Sequence, residues 1–292
     1  MNIAIYGRQF NLDALPYVQE VFDNLAQHGV EIYVHQLLNE HITDQLRAPG
    51  YHVLKDLDNI KGLIDAFITL GGDGTMLDMV NVIRDTGIPV IGINFGRLGF
   101  LATINKSDIA AAIYAVTHGQ YTLDSRELMS IESDNNVFGK DNFALNDITI
   151  HKRDDAAMIT TRVFLDNEFL NAYWGDGLII STATGSTAYS LSCGGPIIFP
   201  TSNSFAITPV APHNLNVRPI ILPDSSVLSF EVECRGNNYL ISCDSRTEVA
   251  DKNMRFYVRK AGFNLNLIRL NNESYLTTLR NKLLWGLDAR NY

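Results

Sequence analysis

The sequence predicts an N-terminal α/β domain with a parallel sheet, followed by a mostly-β domain that is built from layered sheets. Over roughly the first 120 residues, short apolar runs alternate with helical patterns, which is typical of βαβ units. After about residue 121 the hydrophobic period changes from helical to two, which is typical of strands. A chain of 292 residues is also long for a single core. We therefore expect two domains, residues 1–120 and 121–270, and the helical pattern of the tail 271–292 predicts that it packs on the first.

The N-terminal domain is predicted to open with a strand from Asn2 to Tyr6. Pro16 to Gln27 places apolar residues at helical spacing, and Gly29 supplies a stop. A second strand is expected from Val30 to Val34, and a short helix from Asn39 to Arg47.

The following units alternate in the same way. The predicted elements are a strand from Ala66 to Leu70, a tight turn from Gly71 to Gly74, a helix from Thr75 to Arg84 closed by Gly87, a strand from Ile88 to Asn94, and a helix that is capped at Ser107 and ends near Gly119.

The second half contains period-two runs that are bounded by Gly, Asn, Asp and Pro. The predicted strands include Met129–Glu132, Ile148–His151, Thr161–Phe164 and Leu228–Val232. The tail from Glu273 to Leu284 returns to a helical pattern.

The charge balance excludes two classes of partner. With 23 basic and 32 acidic residues, the formal net charge is −9. A long-range field of that sign repels nucleic acid and anionic lipid, so we expect neither as a partner. A phosphate ligand would therefore have to be attracted locally, by helix N-termini, backbone N–H groups and a few aimed cations.

The three cysteines, Cys193, Cys234 and Cys243, lack metal-ligand spacing and are odd in number. We expect no disulfide framework and no metal site built on these cysteines, and the sequence identifies no set of direct side-chain ligands for a metal. The N-terminus has no signal-peptide pattern, and these features favour a reduced, cytoplasmic protein.

The sharpest motif is the turn from Leu70 to Thr75, with the sequence L-G-G-D-G-T, between a strand and a helix. Its glycines allow the backbone to approach a ligand closely, and the helix N-terminus directs N–H groups into the same space. An aspartate in such a turn suggests a base for an attacking hydroxyl or help in holding Mg²⁺. The alternative is that Asp73 only caps the following helix. On the first interpretation Gly71, Gly72 and Thr75 would contact phosphate.

The densest polar segment runs from Gly175 to Pro196, where an apolar strand opens into small hydroxyl residues interspersed with glycines. Such a surface suits ribose hydroxyls and adenine edges. Asp176 could accept a hydrogen bond from a ligand, and Tyr189 could add a stacking face. A solvated Ser/Thr-rich loop is the alternative, but it would not need so many glycines.

Two further polar groups interrupt or follow a strand. Asn146 and Asp147 lie within an apolar run and are either an edge feature or a binding site. His151, Lys152 and Arg153 follow at the strand end, as a solvated hairpin or as contacts to the phosphates of a donor.

Together these segments resemble the NAD kinase family over nearly the whole chain. Leu70–Thr75 is similar to the catalytic G-G-D-G-T turn of that family, and Gly92–Leu101 to its second N-terminal loop. Asn146-Asp147 stands where the family carries Asn-Glu, and Gly175–Pro196 resembles the long Gly/Thr/Ser signature. The segments Pro212–Pro219 and Ser242–Ser245 are also similar to the family.

The resemblance implies a Rossmann-like first domain, a β-rich second domain and a C-terminal helix that returns to the first. It implies transfer of the ATP γ-phosphoryl group to the 2′-hydroxyl of the adenosine ribose of NAD, with Mg²⁺ or another divalent cation accompanying ATP and Asp73 as general base. It also implies a homodimer or homotetramer. The residues expected to bind NAD are Gly74, Phe100, Asn146, Asp147, Asp176, Thr184, Thr187, Ala188, Tyr189, Ser190, Leu191, Ser192, Ala211 and Arg246.

Four positions depart from the commonest pattern of the family. Asp147 replaces Glu, Ala183 replaces Pro and Cys193 replaces Ala, while Trp174 stands where relatives often have a cation.

Two other functions remain open at this point. Diacylglycerol and sphingoid kinases carry a similar G-G-D-G turn before a β-rich domain, but the net charge of −9 and the absence of a basic amphipathic segment in the sequence disfavour a lipid substrate. A dinucleotide sensor without turnover would not need Asp73.

Overall fold

A computed structural model describes residues 1–42, 46–48, 50–55, 57, 59–96, 99–153, 157–271 and 274–285. Contacts divide the chain into two compact units. Unit 1 comprises Met1–Ser125 and Leu265–Tyr292, and unit 2 comprises Arg126–Asn264. The domain limits predicted from the sequence, at residues 120 and 270, stay predictions.

The regular elements follow one another along both units. The α-helices are α1 (Leu15–Gln27), α2 (Gln36–Asn39), α3 (Asp73–Ile83), α4 (Ile109–Thr117), α5 (Tyr189–Ser192) and α6 (Tyr275–Leu283). The strands are β1 (Asn2–Gly7), β2 (Glu31–His35), β3 (His52–Leu54), β4 (Ala66–Leu70), β5 (Val90–Asn94), β6 (Ile104–Asn105), β7 (Thr122–Ser133), β8 (Phe143–Ala144), β9 (Asp147–His151), β10 (Ile159–Leu165), β11 (Glu168–Gly175), β12 (Gly177–Thr182), β13 (Ser204–Val210), β14 (Ile220–Pro223), β15 (Leu228–Glu233), β16 (Asn238–Cys243), β17 (Arg246–Asp251) and β18 (Phe256–Arg269).

Unit 1 contains a parallel sheet in the order β3-β2-β1-β4-β5, and β6 also pairs parallel with β5. The end of β18 pairs parallel with β5 through Leu267 and Val90. Every residue of β4 and β5 is buried, as expected for parallel strands that are covered on both faces. The predicted α/β architecture of the first half is thus confirmed.

The helices of unit 1 bury their apolar stripes against this sheet. In α1 the buried residues are Val18, Val21, Phe22 and Leu25, at helical spacing. Helix α3 begins at Asp73, two residues earlier than predicted, and Gly87 adopts the left-handed conformation that ends the segment.

One predicted helix is wrong. The sequence predicted a helix from Asn39 to Arg47, whereas the described helix α2 spans Gln36–Asn39. The His35 side chain accepts a hydrogen bond from the Leu37 N–H and caps the helix early. The C-terminal end closes where the Ile42 N–H bonds back to Leu38. Residues 43–45 of the predicted helix lie outside the described residues.

Unit 2 is mostly β and contains residues of two sheets. One sheet has the antiparallel order β14-β13-β12-β9-β16-β17. In the other, β11, β10, β15 and β18 pair antiparallel in turn. Inward side chains of both sheets share one core, for example Ile150 and Ile180 from the first with Val163 and Phe230 from the second. The predicted layered β architecture is confirmed.

The tail returns to unit 1 as predicted, because helix α6 belongs to it. Within unit 1 the ring of Tyr275 lies 6.4 Å from that of Phe100, centroid to centroid. None of the described helices is both long and apolar enough to cross a membrane.

Candidate active site

Asp73 is the first residue of helix α3, directly after the glycine turn that follows β4. Its carboxylate accepts three backbone hydrogen bonds. The N–H of Phe100 donates to Oδ2 at 2.8 Å, and the N–H groups of Leu101 and Ala102 donate to Oδ1 at 3.0 Å each. A carboxylate has about four acceptor positions. The loop therefore fixes both oxygens and leaves a second acceptor position on Oδ2.

Two glycines allow the loop to come this close to the carboxylate. A Cβ on Gly99 would overlap the Asp73 carboxylate, and a Cβ on Gly92 would lie 2.7 Å from the Ala102 Cα. The Gly99 N–H also donates to the Ala102 carbonyl at 3.1 Å, which closes a tight turn. The close approach of loop and carboxylate thus depends on these two positions lacking side chains.

The glycine turn itself is shaped for a ligand at the N-terminus of α3. Gly71 has a φ of +153°, and a Cβ there would overlap the Thr75 hydroxyl. Thr75 is buried, whereas Gly74 is exposed and a Cβ on it would meet nothing within 4 Å. The N–H groups of Gly71 and Thr75 are bonded to the carbonyls of Ile93 and Gly72, so the donors that this turn can present to an anion come from the residues between them.

Phe100 connects the loop to the C-terminal helix. Besides Tyr275, the Lys282 ammonium approaches its ring to 6.0 Å from the centroid. Phe100, which the family resemblance placed in the NAD site, is therefore half-buried between the Asp73 loop and helix α6 of the same unit.

In unit 2 the predicted residue Asp147 lies on a partly polar face of the β9–β12–β13 sheet. Asp147 pairs across the strands with Ser181, and Thr149 with Ile179, which in turn faces Thr208. The alternate residues of the same strands, including Ile148 and Ile180, point into the core. The polar interruption at Asn146-Asp147 thus stands at the start of a strand whose one face is partly polar.

Asp147 is buried beside a second carboxylate, Asp244. Burial and the nearby Asp244 charge raise the pKa of Asp147 to about 7. Asp244 accepts the N–H groups of Leu145, Asn146 and Asp147 at 2.8, 2.8 and 3.1 Å. Burial also raises the pKa of Asp244, while these three bonds and Arg246 oppose the rise. The Asn146-Asp147 backbone is therefore held by a carboxylate almost 100 residues away in sequence.

His151, Tyr189 and Cys193 form a cluster beside this strand. The Tyr189 hydroxyl lies 3.2 Å from His151 Nε2, and the two rings stack at 5.7 Å. Burial lowers the pKa of His151, against the opposing effect of Asp176, and raises the pKa of Cys193. Burial also raises the pKa of Tyr189, and the neighbouring Cys193 and carboxylates reinforce that rise.

Asp176 and Lys152 form an ion pair next to that cluster, with Lys152 Nζ 2.8 Å from Asp176 Oδ1. The Lys152 N–H also donates to the Asp176 carbonyl at 2.9 Å. Arg153 follows in an exposed bend. The basic pair thus lies at the end of β9, as the sequence predicted, with one of its cations directed at a predicted NAD-binding carboxylate.

The Ser/Thr segment is packed against the sheet and is not a solvated loop. A Cβ on Gly185 would overlap the Asn146 carbonyl, and a Cβ on Gly195 would overlap the Ser190 hydroxyl. Ser190 Oγ lies 2.8 Å from Thr208 Oγ1. The alternative of a solvated surface loop is therefore wrong for this segment.

The other predicted residues of the segment lie in the short helical turns that follow β12. Thr184 is buried, and its hydroxyl accepts from Arg126 Nη1 at 3.2 Å. Thr187 donates to the Thr184 carbonyl at 3.2 Å. Ala188 precedes helix α5, which contains Tyr189, Ser190, Leu191 and Ser192.

Two predicted residues lie in unusual settings. Ala211 has a φ of +43°, a strained value for a residue with a Cβ, and it follows the end of β13. The Arg246 guanidinium donates to the backbone carbonyls of Cys243, Asp141 and Phe143. Arg246 thus holds the backbone of residues 141–143, just before Asn146, in place.

The described residues contain no group of three or more His, Cys, Asp or Glu side chains that could hold a metal ion.

Both halves of the chain match sequence models of known protein domains. The sequence model of the ATP-NAD kinase N-terminal domain matches residues 3–121, and that of the ATP-NAD kinase C-terminal domain matches residues 145–270. The chain belongs to the ATP-NAD kinase family. A curated NAD kinase of Cytophaga hutchinsonii is 44% identical over 292 residues, which cover 100% of both chains.

The fold is similar to those of two solved kinases. A yeast NADH kinase, solved with NADH, has a TM-score of 0.88 at 23% identity, over 98% of this chain and 88% of that one. An NAD kinase from Archaeoglobus fulgidus, solved with ATP, has a TM-score of 0.76 at 21% identity, over 97% and 99% of the two chains. Membership of the ATP-NAD kinase family removes the support for a lipid kinase or a sensor.

In each unit, one residue that bonds to a predicted site segment was not singled out from the sequence: Asp244 in unit 2 and Arg269 in unit 1. Asp244 was noted only within a segment similar to the family, and its positive φ of +51° gave no sequence signal. Arg269 has no distinguishing sequence signal, because β18 carries other charged residues such as Arg259 and Lys260.

Proposed function

We propose that this chain, an ATP-dependent NAD kinase, uses Asp73 as the general base on the 2′-hydroxyl of the adenosine ribose of NAD. The observation that carries the proposal is the bonding of the Asp73 carboxylate. Three amide donors hold it, and the remaining acceptor position is on Oδ2. A carboxylate held in this way keeps its geometry and can still receive one more hydrogen bond, from the attacking hydroxyl.

In the proposed reaction the hydroxyl oxygen attacks the γ-phosphorus of ATP, its proton passes to Asp73 Oδ2, and ADP leaves. The loose transition state spreads charge over the phosphoryl oxygens. Gly71, Gly72 and Thr75, at the N-terminus of α3, are proposed to contact the phosphates, with Lys152 and Arg153 as candidate cations. The backbone donor among these three is Gly72, because the N–H groups of Gly71 and Thr75 are bonded to the Ile93 and Gly72 carbonyls. Mg²⁺ or another divalent cation is proposed to arrive with ATP, bound to its phosphates.

Recognition of NAD is proposed to use the polar face of unit 2. Asp147 and Asp176 would accept from hydroxyl or amine groups, and Tyr189 would offer an aromatic face. Further proposed NAD contacts are Asn146, Phe100, Gly74 and the segment from Thr187 to Ser192. Arg246, whose donors bind three backbone carbonyls, would support the Asn146-Asp147 segment.

The remaining expectations concern the setting of the enzyme. We propose a cytoplasmic homodimer or homotetramer with no nucleic-acid or membrane partner. The net charge of −9 supports the last two points, because it disfavours association with polyanions and anionic lipid.

The test is formation of NADP from NAD, ATP and Mg²⁺, read with an NADP-specific dehydrogenase, for the wild type and for Asp73→Asn. We expect a loss on the order of 10²–10⁴-fold in turnover for the variant. The new amide N–H₂ would also face the Phe100 N–H, which places two donors opposite each other and could disturb the loop. NAD binding by calorimetry and a melting curve are therefore recorded in parallel, to separate a loss of catalysis from a loss of binding or stability.

A matched control is Asp166→Asn. Asp166 also accepts a backbone N–H through its carboxylate, from Val227 at 2.9 Å, but lies in a turn of unit 2 with a φ of +49° that Asn tolerates. We expect this control to keep wild-type turnover. Wild-type turnover in Asp73→Asn would remove Asp73 from the chemistry.

A further inference from the structure

Arg269, the last residue of β18, is mostly buried and points its guanidinium at the loop that holds Asp73. Its side chain is 14% exposed. Nε lies 3.1 Å from Asp124 Oδ2, Nη1 donates to the Thr103 hydroxyl at 2.8 Å, and Nη2 donates to the Phe100 carbonyl at 3.3 Å. All of these residues belong to unit 1.

Arg269 bonds to residues at both ends of the segment whose three amides bind the Asp73 carboxylate. Phe100 donates its N–H to Asp73 and accepts from Arg269 through its carbonyl. Thr103, the residue after the last of the three amides, is held by the other guanidinium nitrogen. One side chain therefore fixes both ends of a segment whose N–H groups set the position of Asp73.

We propose that Arg269 is a positioning residue for Asp73, acting through residues 100–103. The proposal rests on the proposed function, because it assumes that the position of the Asp73 carboxylate limits phosphoryl transfer.

Arginine suits this position better than lysine. A guanidinium is a rigid planar fork that can serve three acceptors on different elements at once, whereas an ammonium is a point charge on a flexible stem. Asp124 balances the charge of Arg269, so the pair can hold the loop without placing an unpaired cation inside unit 1.

The test compares Arg269→Lys, which keeps the charge and loses the fork, with Thr103→Val, which removes one acceptor at constant shape. For Arg269→Lys we expect kcat to fall on the order of tenfold or more, with the KM values for NAD and ATP little changed, because a small displacement of a catalytic group reduces turnover steeply. Thr103→Val should fall in the same direction by a smaller factor.

Arg162→Lys is the matched control. Arg162 forms an exposed ion pair with Glu233 at 3.0 Å on strand β10 of unit 2, so the same substitution should leave kcat and KM unchanged. An equal loss in this control, or a loss that is confined to KM, would overturn the positioning role.

A double-mutant cycle shows whether the effect passes through Asp73. In the Asp73→Asn background, with residual turnover followed by labelled ATP, Arg269→Lys should cause no further loss. The same fold loss in both backgrounds would overturn the proposal.

Amide hydrogen exchange separates this inference from the general base itself. In Arg269→Lys, the amides of Phe100, Leu101 and Ala102 should exchange on the order of tenfold faster, while those of β10 stay unchanged. Unchanged exchange at these three amides would refute the proposal that Arg269 orders residues 100–103. Wild-type turnover in Asp73→Asn would refute Asp73 as the general base. Faster exchange in Arg269→Lys would then show only that Arg269 orders the loop, without a role in turnover.

Discussion

Replacing Asp147 by Asn is expected to change how the stability of the protein depends on pH. The pKa of this carboxyl is raised from 3.8 to about 7 by burial and by the neighbouring Asp244 charge. The difference is about three pKa units, and each is worth about 1.4 kcal/mol, so ionising Asp147 in the folded protein costs about 4 kcal/mol relative to the unfolded chain.

The sign follows from proton binding. Between the two pKa values the folded state holds a proton that the unfolded chain has lost, so the contribution of Asp147 to the free energy of unfolding falls as pH rises. It is fully present below about pH 4 and is lost as pH rises through about 7. The Asn variant cannot ionise and lacks this dependence. Its stability relative to the wild type should therefore improve with pH, by about 3 kcal/mol between about pH 5 and about pH 8.

The assay is urea unfolding of both proteins at several pH values, analysed as the difference in free energy of unfolding. Taking the difference cancels groups that titrate alike in both proteins, such as His151, whose pKa burial lowers. A flat difference for Asp147→Asn would show that this carboxyl titrates near its ordinary pKa, and the reasoning from burial would be refuted.

Two further predictions concern single side-chain atoms. Gly99→Ala should reduce turnover on the order of 10²-fold in the NADP assay with the fold retained, because the new Cβ would displace the Asp73 carboxylate; wild-type kcat would contradict the close approach of loop and carboxylate. Tyr239→Phe should leave the free energy of unfolding unchanged or raise it by up to about 1 kcal/mol in urea, because the buried Tyr239 hydroxyl makes no hydrogen bond within the described part of the chain. A loss above about 2 kcal/mol would point to an unseen partner for that hydroxyl.

The sequence predicted most of the fold because its hydrophobic periods are unambiguous. The run Ala66–Leu70 was predicted with the limits that β4 has, since five consecutive apolar or β-branched residues before a double glycine fit a buried parallel strand. The helix at residues 39–47 was wrong because the side chain of His35 starts the helix earlier, an interaction that no periodicity reveals.

The candidate site was predictable in its residue types but not in its bonding. Asp73 stood out as an anion in a phosphate-binding turn, yet its three donors follow about 27 residues later in sequence. Asp147 could be noticed as a polar interruption of a strand, but its raised pKa depends first on burial and then on Asp244, which the pairing of β9 with β16 brings near. Tertiary contacts of this kind leave no local pattern.

Unit 1 is assembled from two separate stretches of chain, and this orders the events of its synthesis. Residues 1–125 leave the ribosome first, but Leu267, which pairs with β5, and Arg269, which holds the Asp73 loop, follow only after all of unit 2 has been made. A nascent or truncated chain that ends before residue 265 therefore contains the whole of the polar sheet face and the glycine turn, but not the strand end that secures its carboxylate. In such a fragment the loop around Asp73 would lack the guanidinium that bonds to Phe100 and Thr103, so residues 265–292 complete the contacts of a loop that was made about 165 residues earlier.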